Sequence, residues 1–133
     1  MSGHQPGGPA IDGRRERGRR GEEAAARWYA QAGYRIVARN WRCSGGEIDL
    51  VAVDPVAAVV VICEVKTRSS ARFGRPEEAV TAVKQRRLRR LAAQWLSQQR
   101  PYGTPTRSVR FDVAAVWDDG AGDLVVDVLE DAF

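Results

Sequence analysis

Gly46-Glu47-Ile48-Asp49-Leu50-Val51-Ala52-Val53-Asp54, a break at Pro55, then Val59-Val60-Val61-Ile62-Cys63-Glu64-Val65-Lys66 is the stretch whose reading decides the fold. Each half reads as a β-strand, and the uninterrupted apolar run Val59 to Cys63 suits a strand covered on both faces. Side chains alternate along a strand, so Glu47 and Asp49 share one face and Glu64 and Lys66 share another. A hairpin that pairs Asp54 with Val59 sets Asp49 across from Glu64 and Glu47 across from Lys66. Three carboxylates and an ammonium then crowd one buried face. A carboxylate taken out of water needs a counter-charge, a hydrogen-bond network or a metal. Hard oxygen ligands completed by water and phosphate describe a Mg²⁺ site of the phosphoryl-transfer kind. The competing reading is an ion-paired patch in which Glu47 meets Lys66.

Working outward, the chain of 133 residues, 44% of them hydrophobic, fits one domain that folds alone or as a small symmetric oligomer such as a homodimer. Residues 1–111 hold all 21 Lys and Arg against 10 acids, whereas residues 112–133 hold 7 acids and no base. That asymmetry points to a polyanion partner for the front of the chain. Cys43 and Cys63 lack the spacing of a metal site and fit a reduced, cytoplasmic protein. No apolar run has the length of a membrane span, and no hydrophobic signal core is present. His4, the single histidine, lies in a Gly- and Pro-rich segment, so a catalytic imidazole is not expected.

Residues 1–17 read as a disordered tail that ends in an arginine run, and residues 18–133 as the folded domain. A helix is expected from Gly18 to Ala32, capped by Gly33. Its apolar stripe of Ala25, Ala26, Tyr29 and Ala32 carries Glu22 toward the sheet, while Glu23 aligns with Arg27 at the surface. Tyr34 to Arg42 is the first strand. After Lys66 comes a basic loop with Arg68, Arg72 and Arg75, suited to phosphate contact. Pro76, Glu77 and Glu78 predict the start of a long helix to Gln98. On it Val80, Lys84, Leu88, Leu91 and Trp95 share a face, so Lys84 either reaches an anionic site or snorkels along apolar surface. Arg86, Arg87, Arg89 and Arg90 form a basic band suited to a nucleic-acid backbone or to solvent. Ser108 to Trp117 and Leu124 to Leu129 are the last strands. The order α-β-β-β-α-β-β predicts an α/β domain, a mixed sheet flanked by helices.

Several short motifs stand in order along this frame: Gly21-Glu22 with Ala25, Asn40-Trp41-Arg42, Gly46 to Leu50, Glu64 to Arg68, Phe73-Gly74, Lys84, and Arg110-Phe111-Asp112-Val113. Together they resemble the PD-(D/E)xK nuclease superfamily with its restriction-endonuclease-like fold. The set is most similar to the YraN family of endonuclease-like proteins, related in architecture to Holliday-junction resolvases. The resemblance covers Gly18 to Trp117; Ile48 stands where the wider pattern often has proline before Asp49. It implies a metal-dependent endonuclease acting on nucleic acid, with DNA, branched or single-stranded, the first expectation. Asp49, Glu64 and the Val65 carbonyl would bind Mg²⁺ or Mn²⁺, Lys66 would position or deprotonate the attacking water, and Glu22 would contact water at the ion or a second ion. Two other readings stay open: a non-catalytic nucleic-acid-binding module on the same scaffold, and a protein-interaction scaffold that uses the acidic C-terminal segment.

Overall fold

In a computed structural model the chain is described over residues 8–68, 80–99 and 106–133, with the side chains of the first helix described from Gly18 onward. Its elements are α1 (Gly8–Gln31), β1 (Arg35–Cys43), β2 (Gly46–Asp54), β3 (Val59–Arg68), α2 (Ala82–Gln99), β4 (Ser108–Asp118) and β5 (Leu124–Leu129). This is the α-β-β-β-α-β-β order expected from the sequence. One mixed sheet runs β1-β2-β3-β4-β5, antiparallel except for the parallel β3–β4 pair. A parallel pair needs a crossover connection, and α2 lies on that crossover.

The apolar run of β3 explains the layering. Val60 and Ile62 pack with Leu88, Leu91 and Trp95 of α2, whereas Val61 and Cys63 pack with Ala25, Ala26 and Tyr29 of α1. A strand with a helix on each side must be apolar on both faces. The hairpin register also matches expectation, from Asp54↔Val59 to Leu50↔Cys63. Both cysteines are free thiols.

Three boundaries differ from the sequence reading. Helix α1 begins at Gly8, so residues 8–17 belong to a helix and not to the expected tail. Pro9 falls in the first turn, where its missing N–H is harmless, and Arg and Glu lose little freedom on entering a helix. The far end follows expectation closely: Gly33 has φ 96°, and the Tyr34 N–H donates to the Tyr29 carbonyl at 3.0 Å, closing a Schellman motif. Strand β1 is shifted one residue, to Arg35–Cys43. Helix α2 starts at Ala82, because the Thr81 hydroxyl accepts the Lys84 N–H at 3.2 Å and caps it. The start expected at Pro76 to Glu78 lies outside the described residues.

Gly21 sets the approach of α1 to the sheet. A Cβ at this position would stand 2.1 Å from the Thr67 Oγ1 of β3, so only glycine lets the helix come this close. Its neighbour Glu22 is thereby brought over the end of β3. Gly21→Ala is expected to lower the thermal midpoint, at an overpacking cost of about 1–3 kcal/mol. Adding Thr67→Ala should restore most of the loss, and an unchanged midpoint in the single variant would contradict the close approach.

Candidate metal centre

The β2–β3 ladder stops at Leu50↔Cys63, one residue short of Asp49 and Glu64, while β3 continues alongside β4 through Arg68↔Trp117. The Asp49–Glu64 and Glu47–Lys66 cross-strand pairs expected from the hairpin are therefore not ladder pairs. In their place the Val65 N–H donates to Asp49 Oδ2 at 2.8 Å, a side chain standing in for a main-chain acceptor.

The reason lies in β2 and β1 together. Val51 and Val53 pack on the α2 side and Leu50 and Ala52 on the α1 side, as alternation demands, but Ile48 packs on the α2 side as well. On β1, Arg39 meets Glu23 of α1 whereas Trp41 packs in the α2-side cluster, although residues two apart in a strand normally share a face. Arg39 pairs with Leu50 and Trp41 with Ile48, so both strands change face at the same cross-strand position, occupied by Asn40 and Asp49. Asn40 there has φ 50°.

Around this break the side chains converge. Asp49 and Glu64 are 8% and 6% exposed. Lys66 Nζ lies 3.4 Å from Glu64 Oε2, and Lys84 Nζ forms a closer ion pair with the same oxygen. Lys84 thus reaches the anionic site and does not snorkel. Glu22 is half-buried, within reach of the Asn40 amide and near enough to Glu47 and Glu64 to feel their charge. Glu47 does not meet Lys66: it accepts from Arg42 Nε at 2.7 Å, so the expected pair is replaced, and the ion pairs of the cluster run from Glu64 to Lys66 and Lys84. Glu23 points away to Arg39 at 2.9 Å, not to the expected Arg27, since β1 brings a guanidinium within reach.

Crowded carboxylates with little water hold their protons. Burial, then the Glu64 charge, pushes Asp49 up to about 7 in spite of the Val65 N–H. Burial also raises Glu22, against the hydrogen bond from Asn40. Lys66 is lowered by burial and by its contact with Lys84. Burial disfavours charge on Lys84 too, but its bonds to Glu64 and Lys66 outweigh it and raise that lysine.

Among the described residues no three Asp, Glu, His or Cys side chains come together as a ready-made chelate. The donor set still fits a hard cation. Asp49 takes the Val65 N–H on Oδ2, with no hydrogen bond to Oδ1 among the described residues, and a strand residue turns its carbonyl to the same edge as its N–H, so the Val65 oxygen faces Asp49. Two carboxylates, one carbonyl and water suit Mg²⁺ or Mn²⁺ and not zinc.

Of the basic residues singled out in the sequence, Arg68 ends β3 beside the site, and its buried Nε has no hydrogen-bond partner among the described residues. Arg86, Arg87 and Arg90 are exposed on α2, downstream of Lys84. Arg89 instead stacks on Phe111, 4.8 Å from the ring centre. Arg72 and Arg75 lie outside the described residues. A groove of about 660 Å³ between α1 and β5, lined by Arg20, Arg27, Trp28 and Leu124 among others, contains none of the clustered carboxylates.

Two features have no assigned role in the sequence reading. One is Asn40. The other is a buried network: Arg110 holds Asp112 with two bonds of 2.9 Å, Tyr29 donates to Asp112 at 2.5 Å, and Arg110 donates to Tyr34 at 3.0 Å. Arg110 and Asp112 stand two apart on one strand face, and an acid inside an apolar strand was the available signal.

A mixed five-stranded sheet with a helix on each face, split at its centre to bring Asp49, Glu64, Lys66 and Lys84 together, defines an α/β domain of the order expected from the sequence. The family described as "Uncharacterised protein family UPF0102", the YraN family, matches residues 21–116, and the chain belongs to it. Similar relatives are UPF0102 proteins of Moorella thermoacetica, 50% identical over 121 residues (90% of this chain and 97% of the relative), and of Arthrobacter sp. strain FB24, 54% identical over 105 residues (79% and 85%). The relative in Beutenbergia cavernae is 52% identical over 102 residues, covering 77% and 82%.

Asp49 titrates near 3.8 when unperturbed and at about 7 in the fold. Between those values the folded state keeps a proton that the unfolded chain has released, so this group's contribution to stability declines as pH rises through that window and stays lost above it. Asp49→Asn should therefore gain stability relative to the wild type on going from about pH 4 to about pH 8 in chelator. Thermal unfolding at several pH values checks this; a constant difference between the two proteins would contradict it.

Proposed function

We propose that this protein is a metal-dependent phosphodiesterase acting on nucleic acid, with DNA the first candidate. The observation that carries the reading is the pair Asp49 and Glu64, nearly buried, mutually repelling and bracketed by Lys66 and Lys84. Such a cluster costs stability by itself and suits a cation together with a phosphate.

Asp49, Glu64 and the Val65 carbonyl would hold Mg²⁺ or Mn²⁺. Bound there, the ion would lower the pKa of water and offset charge building on the phosphate. Lys66 shares the strand face of Glu64, so its ammonium can orient the attacking water and meet the scissile phosphate. Lys84 brings a second positive charge from α2. Glu22 closes the cluster from α1. Arg68 and the exposed Arg86, Arg87 and Arg90 would contact backbone phosphates, an interaction that positions the strand without reading its sequence. Arg72 and Arg75 belong to the same proposal.

One observation favours the non-catalytic binding module. Lys84 already neutralises Glu64 with no ion required. The two readings diverge in a cleavage assay with Mn²⁺ on flaps, junctions and single strands, run beside a binding assay. Lys66→Ala should keep affinity within a few fold and lower cleavage by about a hundredfold or more, as for loss of a preorganised donor. Asp49→Asn should remove the calorimetric signal of Mn²⁺ binding. Affinity should fall steeply with salt, and each of Arg86→Gln and Arg90→Gln should reduce the log–log slope by about 1. A wild type that binds these substrates and cleaves none leaves the binding module as the better account.

A further inference from the structure

Asn40 is an outlier in a strand. Its φ of 50° lies in the left-handed region, in the middle of β1, where L-residues are strained. Glycine would take this conformation without penalty, and of the residues with a side chain asparagine tolerates it best. The strain has a visible effect: it turns Arg39 to the α1 side and Trp41 to the α2 side, in step with the change of face between Leu50 and Ile48 on β2. The side chain has a use as well, since its amide lies within reach of Glu22, the acid that α1 contributes to the cluster, and favours that carboxylate's charged form. A carboxylate only accepts, so the Asn40 amide NH₂ donates. Glu47, the other acid on this side, is held by Arg42.

We infer that Asn40 is a positioning residue: from a left-handed turn in β1, opposite Asp49, its amide fixes Glu22 over the Asp49–Glu64 pair. This inference rests on the phosphodiesterase reading and deepens it. Glu22 sits on a long side chain with several rotamers and is repelled by Glu47 and Glu64, with Arg42 offsetting part of that repulsion. Without a donor on the β1 side it would swing to solvent. With the donor it stays turned toward the Asp49–Glu64 pair, whose charges it shares, and Gly21 keeps the helix close to the sheet. The arrangement is a metal-site outer shell built from a strained strand residue.

The test compares wild type, Asn40→Gly, Asn40→Asp, Glu22→Gln and the double variant Glu22→Gln/Asn40→Gly. Thermal midpoint, Mn²⁺ affinity by calorimetry and Mn²⁺-dependent cleavage of an oligonucleotide are measured for each. Asn40→Gly keeps the permissive backbone and should melt near the wild type, yet lose roughly tenfold or more in Mn²⁺ affinity or cleavage, as outer-shell partners do. Glu22→Gln should lose a similar factor, and the double variant no more than the worse single one, because the two residues act as a unit. Asn40→Asp accepts the backbone but repels Glu22, so it should fall at least as far. Losses that multiply in the double variant overturn the inference, as does Asn40→Gly matching the wild type in affinity and cleavage, or Glu22→Gln doing so while Asn40→Gly is impaired. In all of these the wild type still binds Mn²⁺ and cleaves. A wild type that does neither overturns the phosphodiesterase reading and this inference together.

Discussion

Where the β2–β3 ladder gives out, the Val65 N–H is taken by the carboxylate of Asp49. A backbone donor in a sheet interior must find an acceptor, and an unpaired one would cost as much as a lost hydrogen bond. By supplying that acceptor from a side chain, the protein separates its central strands β2 and β3 without orphaning a donor. The gap holds the acids and lysines. The same bond fixes Asp49 by one oxygen, and the Val65 carbonyl lies on the same strand edge as its N–H. The position and charge of the acids at this point thus follow from a single interaction.

The helices close the cluster from either face. Helix α2 delivers Lys84 in its first turn, where a cation opposes the helix dipole, so the Glu64 carboxylate must outweigh that local cost. Helix α1 delivers Glu22, and its angle is set at two points. Gly21 rests on Thr67, and two turns on Tyr29 donates to Asp112, which Arg110 and the Asp131 N–H also hold. Asp112 has no exposed surface, so its charge depends on these donors, and losing one would leave the acid underpaired in the core. The network is rigid scaffolding behind the site.

Much of this was legible in the sequence. The run Val59 to Cys63 announced a doubly covered strand, Gly33 a helix end, and the spacing of Asp49, Glu64 and Lys66 a shared neighbourhood. Four things were not. Alternation is a rule for regular strands, and it failed at Asn40 and Asp49, where the two strands change face; Glu47 was therefore assigned to Lys66 when Arg42, its neighbour across the β1–β2 turn, holds it. Pro76-Glu77-Glu78 was the start signal read, whereas the cap is Thr81, a residue given no part in that reading. The Gly- and Pro-rich lead-in to α1, with its arginine run, read as a disordered tail because its composition offers almost no core-forming residues, yet the helix begins at Gly8. Buried partners such as Tyr29 and Asp112, 83 positions apart, become neighbours only through the parallel β3–β4 pairing and the packing of α1 above it.

The central claim is that the split between β2 and β3 is a cation site. It is tested most directly by anomalous diffraction from crystals of the wild-type protein grown or soaked with Mn²⁺. The account expects one strong peak at about 2.0–2.3 Å from carboxylate oxygens of both Asp49 and Glu64, with the Val65 carbonyl completing the protein ligands. Lys84 should then be displaced from Glu64. Density that leaves Lys84 on Glu64 in millimolar Mn²⁺, with no peak between the two carboxylates, would contradict it.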